Sequence, residues 1–270
     1  MSKTAQADRQ AFYLLKSVNK AQRKYHLFDD QDTILVAVSG GKDSMSLLDL
    51  LHRRRCVAPG KYSLIAGHIQ TDIHCGMAVP EEWLRAWCEE RGIPLVTDRI
   101  SLAQEFSDAS ARTCFRCSWN RRKALFEMAD RLQCNKLAFG HHADDIAETT
   151  LMNLFYSGRL YRMEPRVSFF EGRLIVIRPL ALVEGRDVAD YARASGFPAR
   201  GDPCPASEHS KRTLVRRMLR ELEQGSHKVK RSINSAVEQH LALMDRCGER
   251  VRGRILPPEE TAQRKELPNE

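Results

Sequence analysis

Apolar and polar positions along the chain alternate between two rhythms. Short apolar runs at Thr33–Val38, Ser63–Ile69, Pro94–Thr97, Lys136–Gly140 and Arg173–Ile177 read as strands, the first of them β-branched and buried. Between them lie segments with helical spacing. One runs through Leu47, Leu48 and Leu51; one spans Pro80–Arg91, with its proline in the first turn. Others span Ser118–Leu132, Asp144–Tyr156 (with Thr149, Met152 and Phe155 along it) and Gly185–Ser195. Strands alternating with helices predict an α/β fold built on a parallel sheet. Such sheets bind ligands at the C-terminal ends of their strands.

Helical patterns flank this region on both sides. From Asp8 to His26, Phe12, Leu15, Val18 and Tyr25 recur at helical spacing, with Lys16, Lys20, Arg23 and Lys24 mostly between them. This predicts a basic amphipathic helix lying on the domain. After Pro198 the strand pattern stops. Lys211–Glu223 carries Leu214, Met218, Leu219 and Leu222 on one side and Arg212, Arg216 and Arg220 in an i, i+4, i+8 row on another. Ile233, Val237, Leu241 and Met244 form a further packing stripe, and the tail from Pro257 is polar enough to be expected disordered. The expected division is an N-terminal helical extension at 1–30, a central α/β domain at 31–200, a C-terminal helical region at 201–256 and a tail at 257–270.

A net charge of +8 fits either an anionic partner such as nucleic acid or a generally basic surface. No apolar run approaches the roughly 20 residues needed to cross a bilayer. Met1–Arg9 is polar and lacks the apolar segment of a secretory signal, so a cytoplasmic protein without membrane contact is expected. Thiols stay reduced there, which argues against pairing the eight cysteines as disulfides. Cys88 reads as a small core residue of an amphipathic helix. Only Cys114 and Cys117 have ligand spacing between themselves.

The stretch from Leu35 to Met45 carries the sharpest chemistry. A buried strand through Ala37 runs into Ser39, Gly40 and Gly41, and a helix begins near Ser44. Glycines let the backbone approach a phosphate closely, and a helix N-terminus offers unpaired N–H groups to an anion. Lys42 adds a mobile positive charge, Ser39 and Ser44 add hydroxyl donors, and Asp43 suits Mg²⁺ bridging to pyrophosphate oxygens. The loop matches neither GxxxxGK[ST] nor GxGxxG. The plain alternative is a tight strand–helix turn with a capping serine.

Ser39–Ser44 resembles the PP-loop of the N-type ATP pyrophosphatases, which cleave ATP between the α- and β-phosphates and transfer AMP to a substrate oxygen. Further on, Cys114-Phe-Arg-Cys117 is followed by Arg121, Arg122 and Lys123. Gly140-His-His-Ala-Asp-Asp145 follows the fourth strand, and Pro203-Cys204 precedes the arginine-rich helix. Asn153–Gly158 and Ile177-Arg-Pro-Leu180 complete the pattern. This order, from roughly Ala11 to Arg220, is similar to the TtcA family, the tRNA 2-thiocytidine synthases, with the TtuA-type 2-thiouridine enzymes next.

The resemblance implies a Rossmann-like PP-loop domain that uses ATP and Mg²⁺ on tRNA. It implies a [4Fe–4S] cluster on Cys114, Cys117 and Cys204, with one iron open for hydrosulfide, a sulfur donor such as a cysteine desulfurase persulfide, and a homodimer. It places Ala37, Ser39, Gly40, Gly41, Lys42, Asp43, Ser44, Gly140, His141 and Asp144 around the nucleotide. Lys42, Asp43 and Asp145 are the expected catalytic residues, and His142 is expected to pack. Arg121, Arg122, Lys123, Arg212, Arg216 and Arg220 would hold RNA phosphates.

Other readings stay open. Structural zinc with His209 as fourth ligand competes with the cluster. Helix N-capping competes with catalysis for Asp144 and Asp145. A 2-thiouridine or lysidine enzyme, or a zinc-stabilised RNA binder without activity, competes with the enzyme as a whole. The cysteine trio argues against lysidine formation, which needs no sulfur. Lys42, Asp43 and Asp145 together argue against a mere binder. Two departures from the pattern stand out. Cys204 is followed by Pro205, Ala206 and Ser207 where relatives often carry a second cysteine, and His68-Ile-Gln-Thr-Asp72 stands where many have Asn-Leu-Asp.

Overall fold

Six strands form one sheet in the order β3-β2-β1-β4-β6-β5. They are β1 (Thr33–Ala37), β2 (Ser63–Thr71), β3 (Leu95–Ile100), β4 (Lys136–Ala138), β5 (Arg166–Phe169) and β6 (Leu174–Ile177). The computed structural model describes residues 3–57, 62–72, 79–102, 114–197, 210–226 and 228–246. Eight helices are described: α1 (Lys3–Tyr25), α2 (Lys42–Val57), α3 (Glu81–Glu90), α4 (Cys114–Arg131), α5 (Ala143–Ser157), α6 (Gly185–Ala194), α7 (Lys211–Gly225) and α8 (Val229–Arg246). All strand pairs are parallel except β5 with β6. The chain thus has the predicted α/β fold with helices added at both ends.

The sheet is buried on both faces, as a parallel sheet must be. Side chains alternate along β1: Ile34 and Val36 join a core with α1, α2, α3 and α6, while Leu35 and Ala37 join another with α4. Strand order reverses between β1 and β4, so the crevice between their C-terminal ends is the switch point where such sheets bind ligands.

β5 is absent from the sequence reading. Its four residues alternate between exposed and half-buried, so no apolar run marks it. It exists as the partner of β6, joined by a tight turn in which Phe170, Glu171 and Gly172 all take positive φ (51°, 58° and 96°). Other differences are at ends: β3 runs on to Ile100, and α4 begins at Cys114, so the CxxC pair opens the helix instead of preceding it.

The buried faces of two helices also differ from the apolar count. In α1, Ala7, Ala11, Leu14, Val18 and Ala21 are buried, whereas Phe12 is 58% exposed. Alanines form the docking stripe, and hydrophobic size alone misplaces it by one position. In α7, Val215 and Leu219 are buried and Leu214, Met218 and Leu222 are exposed. Here ion pairs to α5, described below, set the helix's rotation. α8 follows expectation, with Val237 and Leu241 buried, and so does buried Cys88. Among the described residues no helix is long and apolar enough to cross a membrane. Cys204, His209 and the tail at 257–270 lie outside the described residues.

Candidate active site

The loop after β1 is tied down from within. Val38 N–H donates to the Gly67 carbonyl (2.8 Å), continuing the ladder past the strand's end. Gly40 then takes φ +77°, and a Cβ there would sit 3.1 Å from that of Val79. The Ser44 hydroxyl donates to the Gly41 carbonyl (2.9 Å) and accepts from the Ser39 N–H (3.2 Å). Ser39 and Ser44, expected as phosphate donors, therefore also brace the loop in its open form. α2 begins at Lys42, leaving its first N–H groups facing the crevice. The Lys42 ammonium pairs with the Asp43 carboxylate, and both side chains remain substantially exposed.

The loop after β4 closes against this one. A Cβ on Gly140 would lie 2.8 Å from the carbonyl carbon and oxygen of Asp43 and 3.0 Å from the Ser44 nitrogen. The two loops meet backbone to backbone. α5 then starts beneath them, its N-terminus capped by the Asp145 carboxylate, which accepts from the His142 N–H (3.0 Å). Capping and proximity to the loop coexist at this acid.

Asp144 accepts from the Gly185 N–H (2.8 Å) and from Lys230 Nζ (2.6 Å). Burial works to raise its pKa, but Lys230 and the Gly185 N–H outweigh this and hold the carboxyl below its usual range. Asp145 is likewise held low: burial opposes, while the neighbouring imidazoles, the His142 N–H and Arg212 prevail. His142 is buried, as a packing residue is, yet its ring lies among three carboxylates. Nε2 is 3.7 Å from Asp43 and 3.5 Å from Asp145, and Nδ1 is 3.8 Å from Asp144. His141 is pushed down to about 3, by burial first and by Arg178 next, so it is neutral at ordinary pH.

Among the described residues no group of three or more His, Cys, Asp or Glu has the geometry to hold a metal alone. Mg²⁺ typically uses one or two carboxylates plus substrate phosphates, which the exposed Asp43 carboxylate beside the loop would permit. Cys114 and Cys117 lie one helical turn apart at the start of α4, with Cys117 half-buried. A softer, thiolate-bound group fits that pair.

The arginines predicted for RNA divide by environment. Arg216 Nε and Nη2 donate to both oxygens of Glu148 (2.7 and 2.8 Å), and Glu148 is only 3% exposed. Arg212 donates to Thr149 Oγ1 (3.3 Å) and approaches Asp145 to 3.9 Å. Arg121 and Arg122 are half-buried, and Lys123 and Arg220 are exposed. The row on α7 thus turns its first two members into α5 and its third outward.

Glu148, Lys230 and Arg178 are site residues that sequence reasoning passed over. Only Glu148 carried a signal, lying four residues after Asp144 on the same helix face. Replacing Glu148 by Gln should cost about 1–3 kcal/mol, since one oxygen acceptor and the countercharge to Arg216 are lost. The figure is set below that for a fully buried pair because Arg216 is partly exposed to water. Urea unfolding measures it, and an unchanged midpoint would show that the pair is not holding α7.

A PP-loop domain model matches residues 13–223, most of the chain. A relative from Geobacter sulfurreducens named tRNA-cytidine(32) 2-sulfurtransferase is 36% identical over 226 residues, 82% of this chain and 87% of its own length. The chain belongs to this PP-loop family. A relative of the same name from Ralstonia pickettii is 35% identical over 240 residues, 86% of this chain and 75% of its own. The PP-loop fold recurs in the U34-tRNA thiolase NcsA from Methanococcus maripaludis, solved with its [4Fe–4S] cluster. It superimposes with a TM-score of 0.69 at 23% identity, over 86% of this chain and 79% of that one. The family expected from the order of motifs is the one found.

Proposed function

We propose that this PP-loop protein is an ATP-dependent tRNA sulfurtransferase of the cytoplasm that converts a tRNA cytidine to 2-thiocytidine. The observation that carries this reading is the backbone contact between the Ser39–Ser44 loop and Gly140 at the switch point. It joins a phosphate cradle to the acids of α5 in one crevice. The relatives' shared name gives the substrate class.

The C2 carbonyl of cytosine is a poor leaving site, and adenylation corrects this. O2 attacks the α-phosphorus of ATP, an O–P bond forms, the bond to the β-phosphate oxygen breaks, and pyrophosphate departs. Lys42 and the N-terminus of α2 stabilise the charge that grows on the leaving pyrophosphate. Asp43 would hold Mg²⁺ against the same oxygens. Asp145, kept ionised, faces the target base. A [4Fe–4S] cluster held by Cys114, Cys117 and Cys204 would supply the hydrosulfide that adds at C2. The C2–O2 bond then breaks, AMP leaves with the former O2, and the sulfhydryl proton is lost. The base must be unstacked to enter, which a loop nucleotide allows at low cost. The exposed Lys123 and Arg220, with Arg121, are placed to take RNA phosphates around it.

The test uses full-length protein, reconstituted anaerobically with iron and sulfide, plus ATP and tRNA. Nucleoside mass spectrometry should show 2-thiocytidine, with one pyrophosphate released per base. Cys117→Ser should lose both the cluster's absorbance and thiolation, because an alcohol is a poor substitute for thiolate. Cys56→Ser, far from the crevice in sequence and exposed, should keep both. Neither pyrophosphate nor a thiolated nucleoside from wild-type protein would refute the reading, and full activity of zinc-loaded, iron-free protein would refute the cluster.

A further inference from the structure

Arg178 follows β6 at its C-terminal end, is nine-tenths buried and lies outside the roles assigned above. Its Nη1 donates to the Glu164 carbonyl (2.5 Å), and its backbone N–H donates to the Pro165 carbonyl (2.9 Å). These bonds fix the guanidinium, yet its Nε is buried with no hydrogen-bond partner. Alongside, Phe139 N–H donates to the Ile177 carbonyl (3.0 Å), so the segments leading to His141 and Arg178 leave the sheet side by side. His141 Nδ1 is also buried without a partner.

Two more guanidiniums converge here. Arg122, on α4, is close enough for its charge to act on Arg178 and on His141. Arg212, on α7, acts on both Arg122 and His141. Countercharge is short. Asp145 lies 3.9 Å from one nitrogen of Arg212. Glu164, the other carboxylate in reach of Arg178, is shared with Arg162 (3.4 Å). Glu148 is taken by Arg216. Since His141 is neutral, it adds charge of neither sign. Partly buried guanidiniums that face one another are unfavourable until an anion joins them. The planar, forked donor set of arginine matches phosphate in particular.

We propose that Arg122, Arg178 and Arg212 form a phosphoryl subsite, separate from the Ser39–Ser44 loop, that holds the α-phosphoryl group of the nucleotide. This rests on the adenylation reading above. The loop grips the β- and γ-phosphates and loses its ligand when pyrophosphate leaves. The AMP group, now bonded to the base's O2, needs cations of its own while sulfur arrives. Depth favours the nucleotide over an RNA backbone phosphate, because Arg178 sits buried at the strand ends beside the loop that touches α2.

Calorimetric titration of full-length protein with AMP, and separately with tRNA in the absence of nucleotide, tests this. Arg178→Met should weaken AMP binding about tenfold or more, the effect of losing a hydrogen bond to a charged group, and leave tRNA affinity unchanged. Arg178→Lys should restore only part, since it replaces a fork by a point charge. If Arg178→Met does not fold, as judged by its melting transition, Arg212→Gln, a half-buried position, reports on the same subsite. Unchanged AMP affinity in the folded variants would overturn the proposal. So would loss of tRNA affinity with AMP binding intact, which would assign the arginines to an RNA phosphate. Failure of wild-type protein to release pyrophosphate would instead refute the adenylation reading itself.

Discussion

Lys42→Ala should slow pyrophosphate release by about two to three orders of magnitude, the scale of removing a preorganised charge from a developing anion. Its stability should scarcely move. The Lys42 side chain is 41% exposed, so its removal opens no cavity. Alanine also favours the first turn of α2 at least as well as lysine does. The ion pair with Asp43 is exposed enough to contribute little to folding. Loss of rate without loss of melting temperature is therefore the expected signature. A variant that released pyrophosphate at the wild-type rate would remove this loop from the chemistry.

Gly140→Ala acts by the opposite route, through the backbone. The added methyl would lie 2.8 Å from two atoms of the Asp43 carbonyl group, closer than carbon and oxygen tolerate. Neither neighbour is a side chain that can swing away. The N-terminus of α2 or that of α5 must shift, and both carry site residues. Overpacking of this kind costs about 1–3 kcal/mol, which for a protein of this size lowers the melting temperature by roughly 2–12 °C. Nucleotide binding should fall with it, since the loop's N–H groups are displaced. Gly185→Ala makes a useful comparison. Its methyl would meet the His142 ring (2.8 Å) and the Asp144 carboxylate (3.2 Å), side chains able to yield. If both variants melt and bind ATP like wild type, the loops are not in firm contact.

How much of this was legible in the sequence follows from what each feature depends on. The β1 strand and its glycine-rich turn are local, set by a buried run ending in Ser-Gly-Gly, and were read directly. So was Gly140-His-His-Ala-Asp-Asp145 as the entry to a helix. The contact between these two segments was not, because nothing in either says that Gly140 meets Asp43 across the sheet. Strand β5 escaped because only its pairing with β6 makes it a strand. The α7 arginines were read as one row, since spacing shows that they share a face and not what that face meets. Glu148 decides that, and it lies 68 residues earlier in the chain. Lys230 was missed for the same reason, its partner Asp144 being 86 residues away.

Those two long-range pairs bear on how the protein can be divided. Arg216 of α7 and Lys230 of α8 each neutralise a carboxylate of the same helix, α5, from different sides. The C-terminal helices look like appendages to a sheet domain that is already complete, but electrically they are its other half. A minimal version ending after α6 would keep every strand. It would also leave Glu148 and Asp144 without their cations, one of them inside the protein and the other beside the phosphate loop, where an unneutralised negative charge repels ATP. The smallest working unit of this fold is therefore set by charge balance along α5, and it extends past the last strand to α8.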